Sequence, residues 1–395
     1  MTDFYALAQE MKPQLVAWRR DFHAHPELAF LERRTAGIVA AHLESLGYRV
    51  RTGVGETGVI GLLAGKKPGP TVMFRFDMDA LPVTEETGAE YASQTPGCMH
   101  ACGHDGHVAV GMGLASILAA RREDLTGSAV LLFQPAEEGG NGADRMLADG
   151  ALDDPRPDFF LATHVWNLAP VGTVDVQPGP VMAAADKWTG TIRGRGGHGA
   201  LPHLTVDPVV AAAQAVVALQ TIVSRNVSPL ETAVVSVGAI HGGDAFNVIP
   251  AEVTMTGTVR TFQPDTRQVV LQRLTEVIAG VVAACGASAE VTVQPLTPPV
   301  INDPRVTEIV RQAAERVLGS EHVTASERTM GSEDAAFFMA QVPGCYFFVG
   351  SANPERGLDA PHHNSRFDFD EEALVVALAV LGEAAAAWLL PAGGE

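Results

Sequence analysis

Between Gly97 and Gly111 the chain reads GCMHACGHDGHVAVG, which places Cys98, His100, Cys102, His104 and His107 close together, with Asp105 among them. Thiolate and imidazole are ligands for zinc and its transition-metal neighbours. Structural zinc sites pair two short Cys or His couples across a long spacer, and no second couple of that kind stands out downstream. Side chains this crowded cannot all reach one ion. Catalytic sites draw their ligands from several elements, and the chain offers Glu137, Glu138, His164, His362 and His363 for that purpose. Which of these candidates take part stays open on spacing alone.

Glu137-Glu138 follows an apolar run and Pro135. Such a pair can be a solvated acidic turn. At the end of a buried strand it can also split roles, one carboxylate ligating a metal and the other handling a proton. A water shared by two divalent ions is acidic enough to supply hydroxide near neutral pH. Elsewhere, RGRGGHGALPH puts His198 in a Gly-rich turn where backbone can approach a ligand. HGGDAFNVIPAE sets Asn247 just before a strand, with Arg260 near that strand's end.

These residues need a frame. TVMFRF runs into Asp77-Met-Asp79, SAVLLFQPA into Glu137-Glu138, and DFFLAT into His164, while CYFFVG ends shortly before His362 and His363. Helical periodicity covers 4–23, 33–46, 107–122 and 142–150. Short apolar strands alternating with helices predict an α/β fold with a mostly parallel sheet covered by helices. Ligands of such sheets bind beyond the carboxyl ends of the strands, where these Asp, Glu and His residues are expected. From about residue 187 the texture changes to alternating strands around two helices, in the order β-α-β-β-α-β of the ferredoxin-like split unit. The expected division is a catalytic domain in two parts, 1–186 and 297–395, with a smaller α+β domain, 187–296, inserted between them.

A length of 395 residues agrees with two domains. A net charge of −19 argues against nucleic-acid or anionic-membrane partners. Four cysteines, two of them in the His-rich stretch, suit a reducing compartment. The N-terminal stretch MTDFYALAQEMKPQ has no apolar h-region, so a cytoplasmic location is expected. ALVVALAVLGEAAAAWLL, Ala-rich and interrupted by Gly382 and Glu383, reads as a buried C-terminal helix in preference to a membrane span.

Taken together, RRDFHAHPELAF, FDMDALPV, MHACGHDGH, FQPAEEGGNGA, RGRGGHGALPH, NVIPAEVTMTGTVRTF, MGSEDAAFF and HHNSRFDFDEEAL cover nearly the whole chain in order. They resemble the two-metal aminoacylase and carboxypeptidase family of amidohydrolases. Within it, the nearest resemblance is to hippurate hydrolase, N-acyl-amino-acid amidohydrolases and auxin-conjugate hydrolases. The resemblance implies a catalytic domain split by a lid domain that mediates homodimers. It also implies two divalent ions, drawn from zinc, manganese, cobalt and nickel, and a small-molecule N-acyl amino acid as substrate.

Carried over residue by residue, the resemblance implies Cys102, His104, Glu138, His164 and His363 as metal ligands and Glu137 as general base. His363 is chosen over His362 by counting back from Phe367 in the family's His-x-Pro-x-aromatic pattern, although Ser365 stands where Pro is usual. The wider family carries His-x-Asp where this chain reads Asp77-Met-Asp79, so Asp79 is expected to orient a ligating histidine. His198, supplied from a partner subunit's lid, would stabilise the oxyanion with help from Asn247. Arg260 would hold the substrate carboxylate, with backbone at Gly331 assisting. The expected reaction is metal-dependent hydrolysis of N-acyl amino acids. The alternatives are a dipeptidase or carboxypeptidase on the same scaffold, or a binding protein that has lost catalysis.

Overall fold

Strand 67–77 shows how the sequence builds the sheet: its run TVMFRFD, apolar apart from Thr71, Arg75 and Asp77, is buried residue after residue from Thr71 to Asp77, as expected of a strand covered on both faces. The computed structural model describes residues 2–390 and divides into two units. The first comprises the chain up to Val181, Ile301–Glu327 and the chain from Asp334 onward; the second comprises Met182–Val300 and Arg328–Glu333. Arg328–Glu333, which includes Gly331, thus groups with the inserted segment.

The first unit carries a mixed eight-stranded sheet in the order Arg49–Val54, Gly58–Ala64, Thr126–Gln134, Lys67–Asp77, Phe159–Pro170, Gly344–Ala352, Val174–Asp175, Val323–Thr324. Its central strands, from Thr126–Gln134 to Gly344–Ala352, run parallel. The first two strands form an antiparallel hairpin at one edge. Helix His104–Ala120 is apolar nearly all round and buried, as an interior helix must be. It starts three residues before the expected position and follows Gly103, whose φ of 91° is left-handed. A Cβ at Gly103 would also lie 2.4 Å from Val165 Cγ2, so the turn into the helix needs glycine twice over.

Helix Glu372–Leu389 packs against Phe4–Ala24 and His104–Ala120. Its length and apolarity would suffice to cross a membrane, as would those of Pro208–Asn226. Its side chains, among them Leu374, Val376, Leu378 and Leu381, are instead buried in the first unit's core. Asp3 caps Phe4–Ala24 by accepting from Ala6 N at 2.9 Å. Asp303 does the same for Pro304–Leu318, with Pro304 in the first turn.

The second unit is a four-stranded antiparallel sheet in the order Ala233–His241, Glu252–Thr261, Ala184–Arg193, Ser288–Thr297, packed on helices Pro208–Thr221 and Pro264–Ala284. Chain order and sheet order are those of the ferredoxin-like fold. Its own core is formed by Trp188, Ile192, Leu219, Met255, Leu274 and Ile278 among others.

One local expectation changes. His164 does not end its strand: Phe159–Pro170 continues past it. The strand is longer because its partner Gly344–Ala352 extends alongside, pairing Phe348 with His164, whereas the pairing with Lys67–Asp77 stops at Ala162. His164 therefore lies just beyond the last rung on one side and inside the ladder on the other.

Candidate active site

At the carboxyl ends of the central strands, the first unit gathers a thiol, imidazoles and carboxylates. Cys102 Sγ lies 3.5 Å from His164 Nε2. The ligand atoms of Cys102, His104 and His164 all fall within 4.8 Å of one another, as do those of Cys102, Glu138 and His363 and those of His104, Glu137 and Glu138. Cys102 is common to the first two sets. The structure thus brings together Cys102, His104, Glu137, Glu138, His164 and His363 from four separate stretches of chain.

Each side chain is aimed by neighbours. His104 Nδ1 lies 2.9 Å from the Asp79 carbonyl and 3.3 Å from its Oδ1, which leaves Nε2 turned toward the cluster. That Nε2 is buried without a hydrogen-bond partner among the described residues. The His164 ring places Nδ1 2.6 Å from the Val165 carbonyl, which fixes Nδ1 as the protonated nitrogen and frees Nε2. His363 adopts a left-handed φ of 66° and its amide donates to the Ala101 carbonyl at 2.7 Å. Its Nε2 comes within 3.0 Å of Glu138 Oε1. The adjacent His362 turns away: its Nε2 accepts from Asn167 N at 3.2 Å and its ring stacks on Trp166, although its Nδ1 remains 3.8 Å from Cys102 Sγ.

Asp79 holds the glutamate pair from below. Its two oxygens accept from Glu137 N at 3.0 Å and Glu138 N at 2.9 Å. A carboxylate that takes both amides sets the backbone from which both glutamates project. Asp77 is fully engaged elsewhere, with Oδ1 2.6 Å from His107 Nδ1 and Oδ2 2.6 Å from Arg75 Nη1. His107 Nε2 in turn accepts from Val165 N at 3.0 Å. Asp77, His104 and His107 also have ligand atoms within 4.8 Å of one another, but both His107 ring nitrogens and both Asp77 oxygens already hold protein partners, so these two serve as supports around His104 and His164. Asp105 accepts from Arg19 Nε (3.0 Å) and takes His23 Nδ1 (2.8 Å), all three buried, and so anchors the first turn of His104–Ala120 to helix Phe4–Ala24. Cys98 and His100 are buried beside these groups, and both ring nitrogens of His100 lack partners among the described residues.

Electrostatics match the donor set. Burial works to lower the His104 pKa, but the carboxylates of Asp77, Asp79 and Glu138 prevail and raise it to about 10. Burial, with Glu138, Glu137 and Asp77, pushes the Cys102 thiol well up. Burial and the imidazoles of His107 and His362 push His164 well down, so it is a neutral ring with a free lone pair. A pocket rich in negative charge, an unpartnered buried imidazole nitrogen and a thiol awaiting a positive neighbour together suit divalent cations. Cys102, His104, Glu138, His164 and His363 are the residues that could hold them.

The remaining expected residues lie in the second unit. His198 pairs with Val248 across a short two-stranded ladder, which sets it beside Asn247. Its Nδ1 accepts from Ala200 N at 3.1 Å, so the exposed Nε2 carries the proton and can donate. Arg260 donates to Ser332 Oγ at 3.1 Å and has no ion-pair partner among the described residues; burial lowers its pKa. An unpaired, half-buried guanidinium is a receptor for an anion. Gly331 N is already held by Thr329 Oγ1 (3.0 Å) and its carbonyl accepts from Ala183 N (2.9 Å).

Three supports escaped the sequence reading: Arg75, Asp334 and Glu32. Arg75 interrupts an otherwise apolar strand, a charge that must find partners when buried. It finds Asp77, Gln134 and Asp334. Asp334 also accepts from Gln134 Nε2 (2.6 Å) and Ala143 N (3.0 Å).

Comparison with known proteins places these features in a family. The model of peptidase family M20/M25/M40 matches residues 73–387. The N-acetyl-L-cysteine deacetylase of Bacillus subtilis (strain 168) is 40% identical over 391 residues, covering 97% of this chain and 92% of the relative. The IAA-amino acid hydrolase ILR1-like 4 of Arabidopsis thaliana is 38% identical over 380 residues, covering 95% and 86%. Among solved structures, the Bacillus subtilis YXEP protein, described as a dinuclear metal binding peptidase from the M20 family, aligns with a TM-score of 0.84 at 35% identity over 96% of this chain and 98% of that one.

Proposed function

The chain belongs to peptidase family M20/M25/M40, and from that premise we propose that it hydrolyses the amide bond of N-acyl amino acids to a carboxylic acid and a free amino acid. It is a metal-dependent hydrolase of amide bonds that uses two divalent ions. The observation that carries the reading is the Glu137–Glu138 pair, anchored through both amides by Asp79 beside the cluster of Cys102, His104, His164 and His363.

Cys102, His104, Glu138, His164 and His363 would hold the ions, which would be zinc, manganese, cobalt or nickel. When bound, divalent ions polarise a carbonyl and acidify water. Glu137 takes the proton of the attacking water and passes it to the leaving amine. His198 Nε2–H, supplied by the inserted unit of a second copy with Asn247 beside it, would donate to the developing oxyanion. Arg260 holds the substrate carboxylate through its two-pronged guanidinium. Asp79 keeps the carboxylates of the pair in register and orients His104.

The proposal extends to a cytoplasmic homodimer formed through the inserted unit. The free state of Cys98, Cys102, Cys285 and Cys345 supports a reducing compartment. Val210 and Val217, one face of helix Pro208–Thr221, are 51% and 72% exposed, an apolar surface that suits a second copy.

The test is Glu137→Gln assayed with N-acetyl and N-benzoyl amino acids and dipeptides, alongside metal analysis. The variant is expected to keep both metals and to lose turnover by at least about a thousandfold. Substantial remaining activity refutes the role of Glu137. A wild type that cleaves only dipeptides redirects the substrate class, and one that binds acyl amino acids without cleaving them refutes catalysis.

A further inference from the structure

Three consecutive backbone amides lead into the glutamate pair, and a buried carboxylate holds each of them. Glu137 N and Glu138 N bind Asp79. The third, Ala136 N, donates to Glu32 Oε1 at 2.9 Å, and the other oxygen of Glu32 accepts the Thr57 hydroxyl at 2.5 Å. Ala136 is a non-glycine residue at φ 53°, in the left-handed region that a side chain disfavours. Its carbonyl accepts from Gly142 N at 3.1 Å, so the kink is tied at both ends.

Glu32 is 0% exposed. It directly precedes helix Arg33–Ser45, a position from which a side chain ordinarily caps its own helix, yet it makes no capping bond there. Instead it reaches across the fold to Ala136. Burying a carboxylate is costly unless its hydrogen bonds compensate, and an apolar side chain would fill the same space without that cost. A kink needed only for chain reversal would be met by glycine at position 136.

We propose that Glu32 is a positioning residue: by clamping the Ala136 amide it fixes the kink from which Glu137 and Glu138 project, and so sets the reach of the general base and of the neighbouring ligand. This rests on the acyl-amino-acid hydrolase reading for the role of Glu137, but not for the position of Glu138.

The experiment compares Glu32→Ala, Glu32→Gln and Thr57→Val in the full chain, with melting temperature, kcat, KM and metal retention against a chelator. Glu32→Ala is expected to lower kcat on the order of tenfold to a hundredfold with KM nearly unchanged, and to release metal more readily. Glutamine can still accept from Ala136 N and donate to the Thr57 hydroxyl, so Glu32→Gln should restore kcat and metal retention to within about threefold of wild type. Should Glu32→Ala fail to fold, Thr57→Val serves in its place, with a loss of kcat of roughly threefold or more. Wild-type kcat and metal retention in folded Glu32→Ala, or in Thr57→Val if it alone folds, overturns the proposal. So does a Glu32→Gln variant as impaired as Glu32→Ala, since the bond would then be irrelevant. Chelator competition needs no substrate, so it tests Glu32 even if the wild type fails to cleave acyl amino acids.

Discussion

Replacing Asp79 by Asn keeps the size of the side chain but turns one of its two acceptors into a donor. In the native arrangement Oδ1 takes Glu137 N at 3.0 Å and Oδ2 takes Glu138 N at 2.9 Å. Asparagine can keep one of these bonds through its carbonyl. Its NH2 group then faces the second amide, two donors with no acceptor between them. A hydrogen bond to a charged acceptor contributes about 1.5–3 kcal/mol, and a buried donor left unpaired costs about 1–3 kcal/mol. Taken with partial relaxation, the expected loss is about 2–4 kcal/mol. If all of it falls on the reactive arrangement of Glu137, kcat drops roughly thirty- to a thousandfold at 1.36 kcal/mol per decade. If it falls on folding, the melting temperature drops and kcat per folded molecule stays. Steady-state kinetics on an N-acetyl amino acid, with thermal melts and metal analysis on the same preparation, separate the two. An Asp79→Asn enzyme with kcat and melting temperature both close to wild type would refute the claim that this carboxylate sets the pair.

Two further outcomes follow from the same geometry. Cys102→Ala should weaken metal retention by about a hundredfold or more, since loss of a mere supporting partner of a ligand already costs 10–100-fold; unchanged metal content by mass spectrometry would rule out Cys102 as a ligand. His23 is buried, and although burial lowers its pKa, its bonds to Asp105 and Glu85 raise it to about 9. A folded pKa above the unfolded value of about 6.5 contributes stability that is complete below pH 6.5 and lost as pH rises through 9. Urea unfolding should therefore show a decline of about 3 kcal/mol between pH 6 and pH 10 that is absent in His23→Gln; parallel pH profiles for the two proteins would contradict the assignment.

The architecture was readable in the chain wherever local pattern decides it. Apolar runs gave the central strands, periodicity gave helices Phe4–Ala24 and Arg33–Ser45, an Ala-rich apolar stretch gave Glu372–Leu389, and alternation gave the sheet of the second unit. The chemical residues of the site stood out by type and spacing. Their supports did not, because partner choice is settled by the register of strands far apart in sequence. Arg75 signals only that it needs carboxylates; that these are Asp77 and Asp334 depends on how Lys67–Asp77 lies against the loop before Ala336–Met339. Glu32 reads as an unremarkable helix-start acid until Ala136 is brought against it. His164 was set at a strand end because its own sequence changes character there, whereas the ladder with Gly344–Ala352 carries the strand onward.

That ladder also bears on the order in which the molecule can be made. Among the described residues Gly344–Ala352 is made after every other strand, yet it lies between Phe159–Pro170 and Val174–Asp175, which are made long before it. Everything needed for the second unit except Arg328–Glu333 leaves the ribosome first. The growing chain therefore carries a nearly finished insert while its host still has an open strand edge at Phe159–Pro170, the kind of edge that recruits unwanted partners. Cys102 and Glu138 wait through the same interval for His363. A chain cut short before Gly344 holds Cys102, His104, Glu138 and His164 but lacks both His363 and the strand that fills the middle of the sheet, so the metal cluster is assembled only after that strand is threaded in.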